Sequence, residues 1–302
     1  MLLLALATGA VGIGYMLFEA QWLRIRRVKL KPSGLPGSLN GLKLLHLSDL
    51  HAGAPGPGAM AVDKLVEASK RTRPDIVLFT GDMVDKKRDL RPHLDLLGRI
   101  EARYGKFAVL GNHDHGERKN VIRDLAGRLV GRTIDESVAK VSAGEVTQTV
   151  DLYRQLLAEA GITLLENECA IVEGEGWRVQ VCGIDDMQYG HADLAGTEAR
   201  VDPEVPLRIL MSHNPDAANC VTEGKFQLLL AGHTHGGQIC IPKPGGRILL
   251  STSGAEFGEG LYHLHDLTMH VSRGVGTTFL PFRLFSRPEA TLLEFDSDDA
   301  HS

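Results

Sequence analysis

Six short apolar runs place the strongest constraint on how this 302-residue chain folds. Each run has the length of a β-strand and ends at polar or glycine residues, which is typical of strands buried on both faces of a layered sheet. The six runs are residues 42–47, 76–80, 107–110, 179–183, 207–211 and 228–231. At 302 residues, the chain is long enough to form one large domain with a substantial core.

Segments with helical spacing of apolar residues separate these runs. They are residues 59–71, 90–103 and 150–160, and a shorter helix is expected from residue 212, with Pro215 at an early helical position. Residues 267–272 and 290–295 resemble further strands near the end of the chain. The alternation of strands and helices, becoming strand-rich late in the sequence, predicts an α/β fold with two packed, mixed β-sheets flanked by helices.

The first residues have a different character, because residues 2–18 contain no charged side chain. As a helix rising ~1.5 Å per residue, this run nearly spans a bilayer core if it continues to Trp22 and Leu23. Basic residues follow it directly: Arg24, Arg26, Arg27, Lys29 and Lys31. This pattern predicts a single-pass N-terminal membrane helix with the following domain in the cytoplasm. A cleaved signal peptide or a helix lying on the membrane surface are the alternatives.

These features divide the chain into four parts. Residues 1–25 are expected to form the membrane anchor, 26–41 a linker, 42–296 the catalytic domain and 297–302 a polar tail. Residues 118–145 are not needed by any motif described below, and they are expected to be either a cap or a surface excursion.

Composition excludes some functions and leaves the state of the cysteines open. The net charge of −5 argues against a non-specific nucleic-acid binder. The four cysteines, Cys169, Cys182, Cys220 and Cys240, form no CxxC pair, so a cysteine zinc site is not expected. They are either reduced core residues or partners in one or two disulfides.

Polar side chains follow the predicted strands at the point where each strand ends. They are Asp49, His51, Asp82, Asn112, His213, His233 and His235. Taken singly, each has an ordinary interpretation as a turn or helix-capping residue. Together they lie at the carboxyl ends of separate strands, where α/β sheets bind ligands. Carboxylate, imidazole and amide donors in combination favour a pair of transition-metal ions over magnesium.

The ordered motifs Asp49-x-His51, Gly81-Asp82-x-x-Asp85, Gly111-Asn112-His113-Asp114, His213 and Gly232-His233-x-His235 resemble those of the calcineurin-like metallophosphoesterases. The resemblance extends from about residue 44 to residue 295. Residues 232–238, 272–276 and 287–289 are similar to a membrane-associated bacterial branch that includes phosphodiesterases and UDP-diacylglucosamine hydrolases. The resemblance implies a four-layer α/β/β/α domain.

The resemblance also implies a role for each motif residue. Asp49, His51 and His235 would bind one divalent transition-metal ion, such as Mn, Fe or Zn, and Asn112, His213 and His233 would bind a second. Asp82 would bridge both ions. His113 would act as general acid or transition-state stabiliser, with Asp85 orienting its ring.

The function expected from these residues is hydrolysis of a phosphoester or pyrophosphate bond through attack by a metal-bound hydroxide. The expected substrate is a phosphorylated small molecule or a lipid-linked molecule at a membrane. Arg273 is either a phosphate contact or a structural arginine. A metal-dependent nuclease and a non-catalytic binding module of the same fold are the alternatives. The negative charge and the 5% content of aromatic residues argue against the nuclease.

Overall fold

The computed structural model describes residues 2–31, 35–53, 58–84, 90–115, 143–188, 192–250, 252–278 and 280–296. Asp85, the greater part of the predicted cap at 118–145 and the predicted tail at 297–302 lie outside the described residues.

The described part of the chain contains five α-helices, three short 3-10 helices and fourteen strands. The short helix expected from residue 212 is a 3-10 helix at Pro215–Asn219. The helices are α1 (Leu2–Ala20), α2 (Gly58–Thr72), α3 (Leu90–Gly98), α4 (Ala143–Glu159) and α5 (Leu194–Glu198). The strands are β1 (Arg24–Leu30), β2 (Lys43–Leu47), β3 (Ile76–Thr80), β4 (Gly105–Val109), β5 (Thr163–Leu164), β6 (Glu168–Gly174), β7 (Trp177–Gly183), β8 (Leu207–Met211), β9 (Leu228–Ala231), β10 (Cys240–Lys243), β11 (Gly246–Leu249), β12 (Gly260–Leu264), β13 (Leu267–Val271) and β14 (Glu289–Phe295).

The strands form two six-stranded sheets and a small hairpin. The first sheet has the order β1-β14-β2-β3-β4-β5, the second has the order β12-β13-β9-β8-β7-β6, and β10 pairs with β11. Strands β2 to β5 run parallel, and β14 is antiparallel to β2. In the second sheet β7, β8, β9 and β13 are parallel, with antiparallel strands at both edges. The predicted pair of mixed sheets is therefore confirmed.

Buried apolar side chains fill three layers around the sheets. Leu44, Leu78 and Ile209 belong to the core between the two sheets. A second core lies between the first sheet and helices α2, α3 and α4, and a third covers the outer face of the second sheet. Strands β2, β3, β8 and β9 thus contribute to a core on both faces, which explains their continuous apolar sequences.

A buried polar contact in the core joins the two sheets. The Nδ1 atoms of His46 on β2 and His270 on β13 are 2.9 Å apart, and Nε2 of His46 lies 2.8 Å from Oγ1 of Thr80. Both imidazoles are fully buried. Burial lowers the pKa of His46 well below its ordinary value, and burial with the charge of Arg26 lowers the pKa of His270 to about 3.

Strand β1 corrects the predicted boundary between anchor and linker. Residues 24–30 were expected to belong to these two segments, but they form a strand that pairs in parallel with β14 over seven residues. Arg24, Arg27 and Lys29 are exposed on this strand, whereas Leu30 is buried. Because β1 is an edge strand with a half-exposed face, its sequence lacks the continuous apolar run of the central strands.

The prediction of an N-terminal membrane helix is not supported. Helix α1 does form, but none of the helices among the described residues has the length and apolar character needed to cross a bilayer. The 19 residues of α1 span about 28 Å. The carboxyl-terminal end of α1 packs against the domain, since Glu19 and Ala20 are buried. The cytoplasmic placement inferred from the anchor is likewise not confirmed.

The disulfide alternative holds for one pair of cysteines. Cys169 and Cys182 are neighbours across β6 and β7 and are joined by a disulfide, while Cys220 and Cys240 are free thiols. Disulfides persist mainly in oxidising compartments. The predicted cytoplasmic placement therefore does not explain the disulfide between Cys169 and Cys182.

Candidate metal centre

The loops that follow five parallel strands bring the predicted site residues together. Strands β2, β3 and β4 deliver Asp49, His51, Asp82 and Asn112 from the first sheet, and strands β8 and β9 deliver His213, His233 and His235 from the second. All seven side chains are buried. The centre therefore lies where the carboxyl-terminal edges of the two sheets meet.

Four of these residues form what is called here the first cluster: Asp49, His51, Asp82 and His235. One ligand atom from each lies within 4.8 Å of all the others. Nε2 of His235 is 3.1 Å from Nε2 of His51 and 3.3 Å from Oδ1 of Asp49. Nε2 of His51 is 3.5 Å from Oδ2 of Asp82.

The second cluster consists of Asp82, Asn112, His213 and His233. Oδ1 of Asn112 lies 3.1 Å from Nε2 of His213 and 3.2 Å from Nδ1 of His233. These two ring nitrogens are 3.2 Å apart. Oδ2 of Asp82, the atom that also faces His51, is 3.3 Å from Nε2 of His213. One carboxylate oxygen is therefore shared by both clusters.

The spacing of these atoms fits metal ligation. Bonds of about 2.0–2.1 Å to a tetrahedral ion place neighbouring ligand atoms about 3.3 Å apart. In both clusters the contacts between neighbouring donors lie close to this value. Imidazole nitrogens that face one another at 3.1 Å, as in His51 and His235, can both direct a lone pair at one cation when the rings are neutral. The residues present therefore fit a divalent ion in each cluster.

Protonation in the centre also suits ligation. Burial, together with the charge of His213, lowers the pKa of His233 to about 3. Burial and the charges of His51 and Arg283 lower the pKa of His235 well below its ordinary value. Both imidazoles are therefore neutral at physiological pH, the form that binds metal ions.

Asp82 and His213 instead form a buried pair of opposite charges. Burial opposes both charges, but the mutual attraction of the two groups holds the pKa of Asp82 well below and that of His213 well above the ordinary values. Nδ1 of the protonated His213 donates to the carbonyl of Thr80 at 2.8 Å, and its Nε2 proton faces Asp82. Binding of a cation at this point would release that proton.

The backbone is unusual where it carries the donors. Five of the seven residues have left-handed φ angles: Asp49 (51°), His51 (44°), Asp82 (52°), His233 (72°) and His235 (53°). Non-glycine residues adopt this conformation at a cost of about 1–3 kcal/mol each, and such residues cluster at functional sites. The surrounding structure therefore holds the donors in place against local strain.

Close contacts between loops provide part of that restraint. The backbone N–H of His233 donates to both carboxylate oxygens of Asp49 at 3.1 Å. A Cβ on Gly81 would lie 2.7 Å from the backbone nitrogen of Gly111 and 2.7 Å from Nδ1 of His213. Only glycine therefore lets the ends of β3, β4 and β8 approach so closely.

Asp114 is a positioning residue to which the sequence assigned no role. Its buried carboxylate accepts hydrogen bonds from the backbone of Met83 at 3.0 Å and of Gly111 at 3.0 Å, and from the hydroxyl of Tyr153 at 3.0 Å. It thus joins the loop that carries Asp82 to the loop that carries Asn112. The sequence feature that could have revealed its role is its place at the end of the motif Gly111–Asp114.

His113 lies beside the first cluster rather than within it. Its half-buried ring meets the ring of His51 edge-on, with centroids 4.8 Å apart, and its backbone N–H donates to Oδ1 of Asp82 at 2.9 Å. The orientation of His113 by Asp85 stays a prediction, since Asp85 is outside the described residues. Arg273, the candidate phosphate contact, forms an ion pair with Glu259 at 2.8 Å, consistent with the structural alternative.

A two-sheet α/β domain with shared carboxylate and imidazole donors at its strand ends has the organisation of a metal-dependent hydrolase. The chain belongs to the calcineurin-like phosphoesterase family, whose sequence pattern matches residues 42–237. That range includes all seven predicted ligands, and the protein is a metal-dependent phosphoesterase.

Three curated relatives are similar over nearly their whole length. The metallophosphoesterase YkuE of Bacillus subtilis is 28% identical and aligns over 97% of this chain and 94% of its own. Phosphodiesterase YaeI of Escherichia coli is 28% identical over 94% and 92% of the two chains. The UDP-2,3-diacylglucosamine pyrophosphatase LpxG of Chlamydia trachomatis is 27% identical over 91% and 90%.

Proposed function

We propose that the protein hydrolyses a phosphodiester or pyrophosphate bond with two divalent transition-metal ions, one held by each cluster. The observation that carries this proposal is the position of Asp82. Its Oδ2 atom is 3.5 Å from Nε2 of His51 and 3.3 Å from Nε2 of His213, between two otherwise separate sets of donors. A single-ion site would not need the second set.

The residues have distinct tasks in such a centre. When bound, the two ions would bring the pKa of a water ligand toward neutrality and offset charge on the phosphoryl oxygens. The carboxylate of Asp82 would hold both ions and reduce the repulsion between them. Asn112 completes the second set without adding charge. The buried walls exclude bulk solvent, which strengthens each of these interactions.

The proposed general acid is His113. Its ring is half-buried and adjoins the first cluster, so that one face remains accessible from the solvent side. A general acid at this point would donate a proton to the departing oxygen, an effect of about 10²–10⁴-fold on the rate. Asp85 is the proposed partner that orients its ring.

The proposed substrate is a lipid-linked or nucleotide-linked phosphate at a membrane surface. The similarity to LpxG, a pyrophosphatase of UDP-2,3-diacylglucosamine, and to the phosphodiesterase YaeI supports this class. Exposed apolar side chains on α1, including Val11 (72% exposed) and Phe18 (57%), also support it.

A metal-reconstitution assay on the full chain tests the proposal. The protein is stripped with a chelator and then supplied with Mn²⁺, Zn²⁺, Fe²⁺ or Co²⁺ singly. Hydrolysis of bis(4-nitrophenyl) phosphate, 4-nitrophenyl phosphate and UDP-2,3-diacylglucosamine is followed, and bound metal is counted by mass spectrometry. Two ions per chain and metal-dependent hydrolysis are expected. A stoichiometry of one at full activity would contradict the two-metal proposal.

Two substitutions separate metal binding from proton donation. Asp82→Ala should lose both metal binding and activity, because it removes the shared ligand. His113→Ala should retain two ions and fold normally but lose about 10²–10⁴-fold in kcat. His263→Ala, at an exposed position far from the centre, is the control. Full activity in both the Asp82 and His113 variants would refute the assigned roles.

A further inference from the structure

Helix α1 is joined to the domain through its one charged residue. The buried carboxylate of Glu19 accepts hydrogen bonds from the backbone N–H groups of Phe285 at 2.9 Å and Ser286 at 2.7 Å. The backbone N–H of Arg283 donates to the carbonyl of Met16 at 3.2 Å. The helix therefore fixes the segment formed by residues 283–286, named here the clasp.

The clasp in turn contacts the backbone of a proposed metal ligand. The hydroxyl of Ser286 donates to the carbonyl of His235 at 3.3 Å and to that of Gly236 at 3.0 Å. His235 has a left-handed φ of 53° and Gly236 one of 55°. A strained turn of this kind keeps its shape only while its carbonyl groups are held from outside.

Arg283 extends the same network to a second ligand. It is fully buried, and its guanidinium donates to the carbonyls of His235 at 3.3 Å and Ser286 at 2.9 Å. It also donates to the carbonyl of Gly276 at 2.6 Å, and the N–H of Gly276 donates to the carbonyl of Asp49 at 2.7 Å. The clasp thus reaches the backbone of both His235 and Asp49.

The charge of Glu19 also matters for Arg283. Burial lowers the pKa of Arg283 to about 10, and the carboxylates of Asp49 and Glu19 act in the opposite direction. The guanidinium therefore stays charged at neutral pH although its hydrogen bonds go to backbone carbonyls. Without Glu19, a buried cation would lose one of the charges that stabilise it.

We propose that Glu19 is a positioning residue for the metal centre, acting through Ser286 and Arg283 on His235 and Asp49. This inference rests on the proposed function, because it assigns an ion to the first cluster. Both residues that the clasp supports belong to that cluster alone. Loss of Glu19 should therefore weaken the ion held by Asp49, His51 and His235 and spare the ion held by Asn112, His213 and His233.

The test is a metal titration of the full-length chain. Co²⁺ is titrated into chelator-treated wild type, Glu19→Gln and Glu19→Ala, and the two dissociation constants are read from the absorption spectrum and by chelator competition. Outer residues that orient ligands change metal affinity by about 10–100-fold. One of the two constants is expected to weaken by this factor, more for alanine than for glutamine, which keeps one acceptor. Glu67→Gln, on the exposed face of α2, is the control and should match the wild type.

Background variants identify which ion is affected. With the second cluster disabled by His233→Ala, adding Glu19→Gln should weaken the remaining ion. With the first cluster disabled by His235→Ala, adding Glu19→Gln should have no effect. The reverse pattern would overturn the inference.

A second variant keeps the test decisive if Glu19 substitutions unfold the protein. Ser286→Ala removes the hydroxyl that reaches His235 but leaves the contacts between Glu19 and the backbone. Ser69→Ala removes a buried hydroxyl on α2, far from the centre, and is its matched control. Weaker Co²⁺ binding in Ser286→Ala, with Ser69→Ala matching the wild type, supports the inference. Unchanged constants in both Glu19→Gln and Ser286→Ala overturn it, whereas a wild type without metal binding overturns the proposed function instead.

Discussion

The donors of the metal centre are carried by residues whose backbone is locally unfavourable. Asp49, Asp82 and His233 all have left-handed φ angles, and glycines beside them allow neighbouring loops to touch. Strain of this kind persists because several independent contacts determine each position. Small changes in those contacts should therefore affect metal binding before they affect the fold.

Gly232 offers a direct test at this scale. A Cβ at this position would lie 1.8 Å from Oγ of Ser48 and 2.4 Å from Oδ2 of Asp49. Gly232→Ala should therefore displace the Asp49 carboxylate and weaken metal binding at least about tenfold. Metal content and hydrolysis measure the effect. Gly246→Ala, where an added Cβ meets nothing within 4 Å, is the control. Equal metal binding in both variants would contradict the explanation.

The histidine pair between the sheets makes stability depend on pH. The pKa of His270 is lowered to about 3, so the native state stays neutral while the unfolded chain takes up a proton near its ordinary pKa of 6.5. Stability should therefore fall as the pH drops below 6.5. Each such group contributes a slope of up to about 1.4 kcal/mol per pH unit.

A neutral substitution isolates this contribution. Between pH 6.5 and 5, His270→Gln should lose about 1.5 kcal/mol less unfolding free energy than the wild type. Urea denaturation in the presence of a chelator provides the measurement. His263→Gln, on the exposed side of β12, should keep the wild-type slope. The same pH dependence in all three proteins would show that His270 is protonated in the native state.

At the scale of elements, the sequence predicted the central strands well and the edges poorly. Strands β2, β3, β8 and β9 are buried on both faces, so their apolar runs reveal them and their ends locate the donors. Strand β1 has a half-exposed face and charged residues, and it was assigned to the anchor and linker. The alternation of apolar and polar residues is weak in such a strand. Its pairing with β14 joins distant parts of the chain, which a local sequence pattern does not reveal.

The same distinction applies to the site. The proposed ligands lie in short motifs, and the structure brings together all seven side chains that the sequence named. Residues that act through backbone contacts left no such signal. Glu19 and Ser286 are separated by 267 positions, and the contact between them is visible only in the folded chain.

The disulfide between β6 and β7 yields a prediction at the scale of the hairpin. A bridge that spans 13 residues is expected to stabilise the fold by about 2–3 kcal/mol through restriction of the unfolded chain. A reductant should lower the unfolding free energy of the wild type by this amount, measured in urea. It should have no effect on the Cys169→Ser/Cys182→Ser double variant. Alkylation of four free thiols in the untreated native protein would contradict the assignment.

For the whole molecule, the arrangement of the first sheet joins the beginning of the chain to its end. Strand β14 lies between β1 and β2, so residues 289–295 complete a sheet begun more than 240 residues earlier. Helix α1 and the clasp add a second connection between the two ends. Neither end is therefore an appendage of a domain that is complete without it.

Truncation at the C-terminus tests this organisation. A chain that stops after residue 288 loses the buried side chains of Leu292, Leu293 and Phe295, each worth ~1.5–3 kcal/mol. Together with the lost pairing, this loss is comparable with the ~5–15 kcal/mol that stabilises a typical domain. The shortened chain should show no cooperative thermal transition by circular dichroism. A chain that stops after residue 296 should melt like the full protein, and cooperative melting of both would contradict the role of β14.

The late position of β14 also affects how the chain folds during its synthesis. Translation delivers β1 and β2 early, yet the strand that belongs between them emerges last. The edges of β1 and β2 that pair with β14 therefore stay unpaired until residues 289–295 have been synthesised. Unpaired strand edges promote aggregation, and pairing with β14 removes that hazard from both β1 and β2.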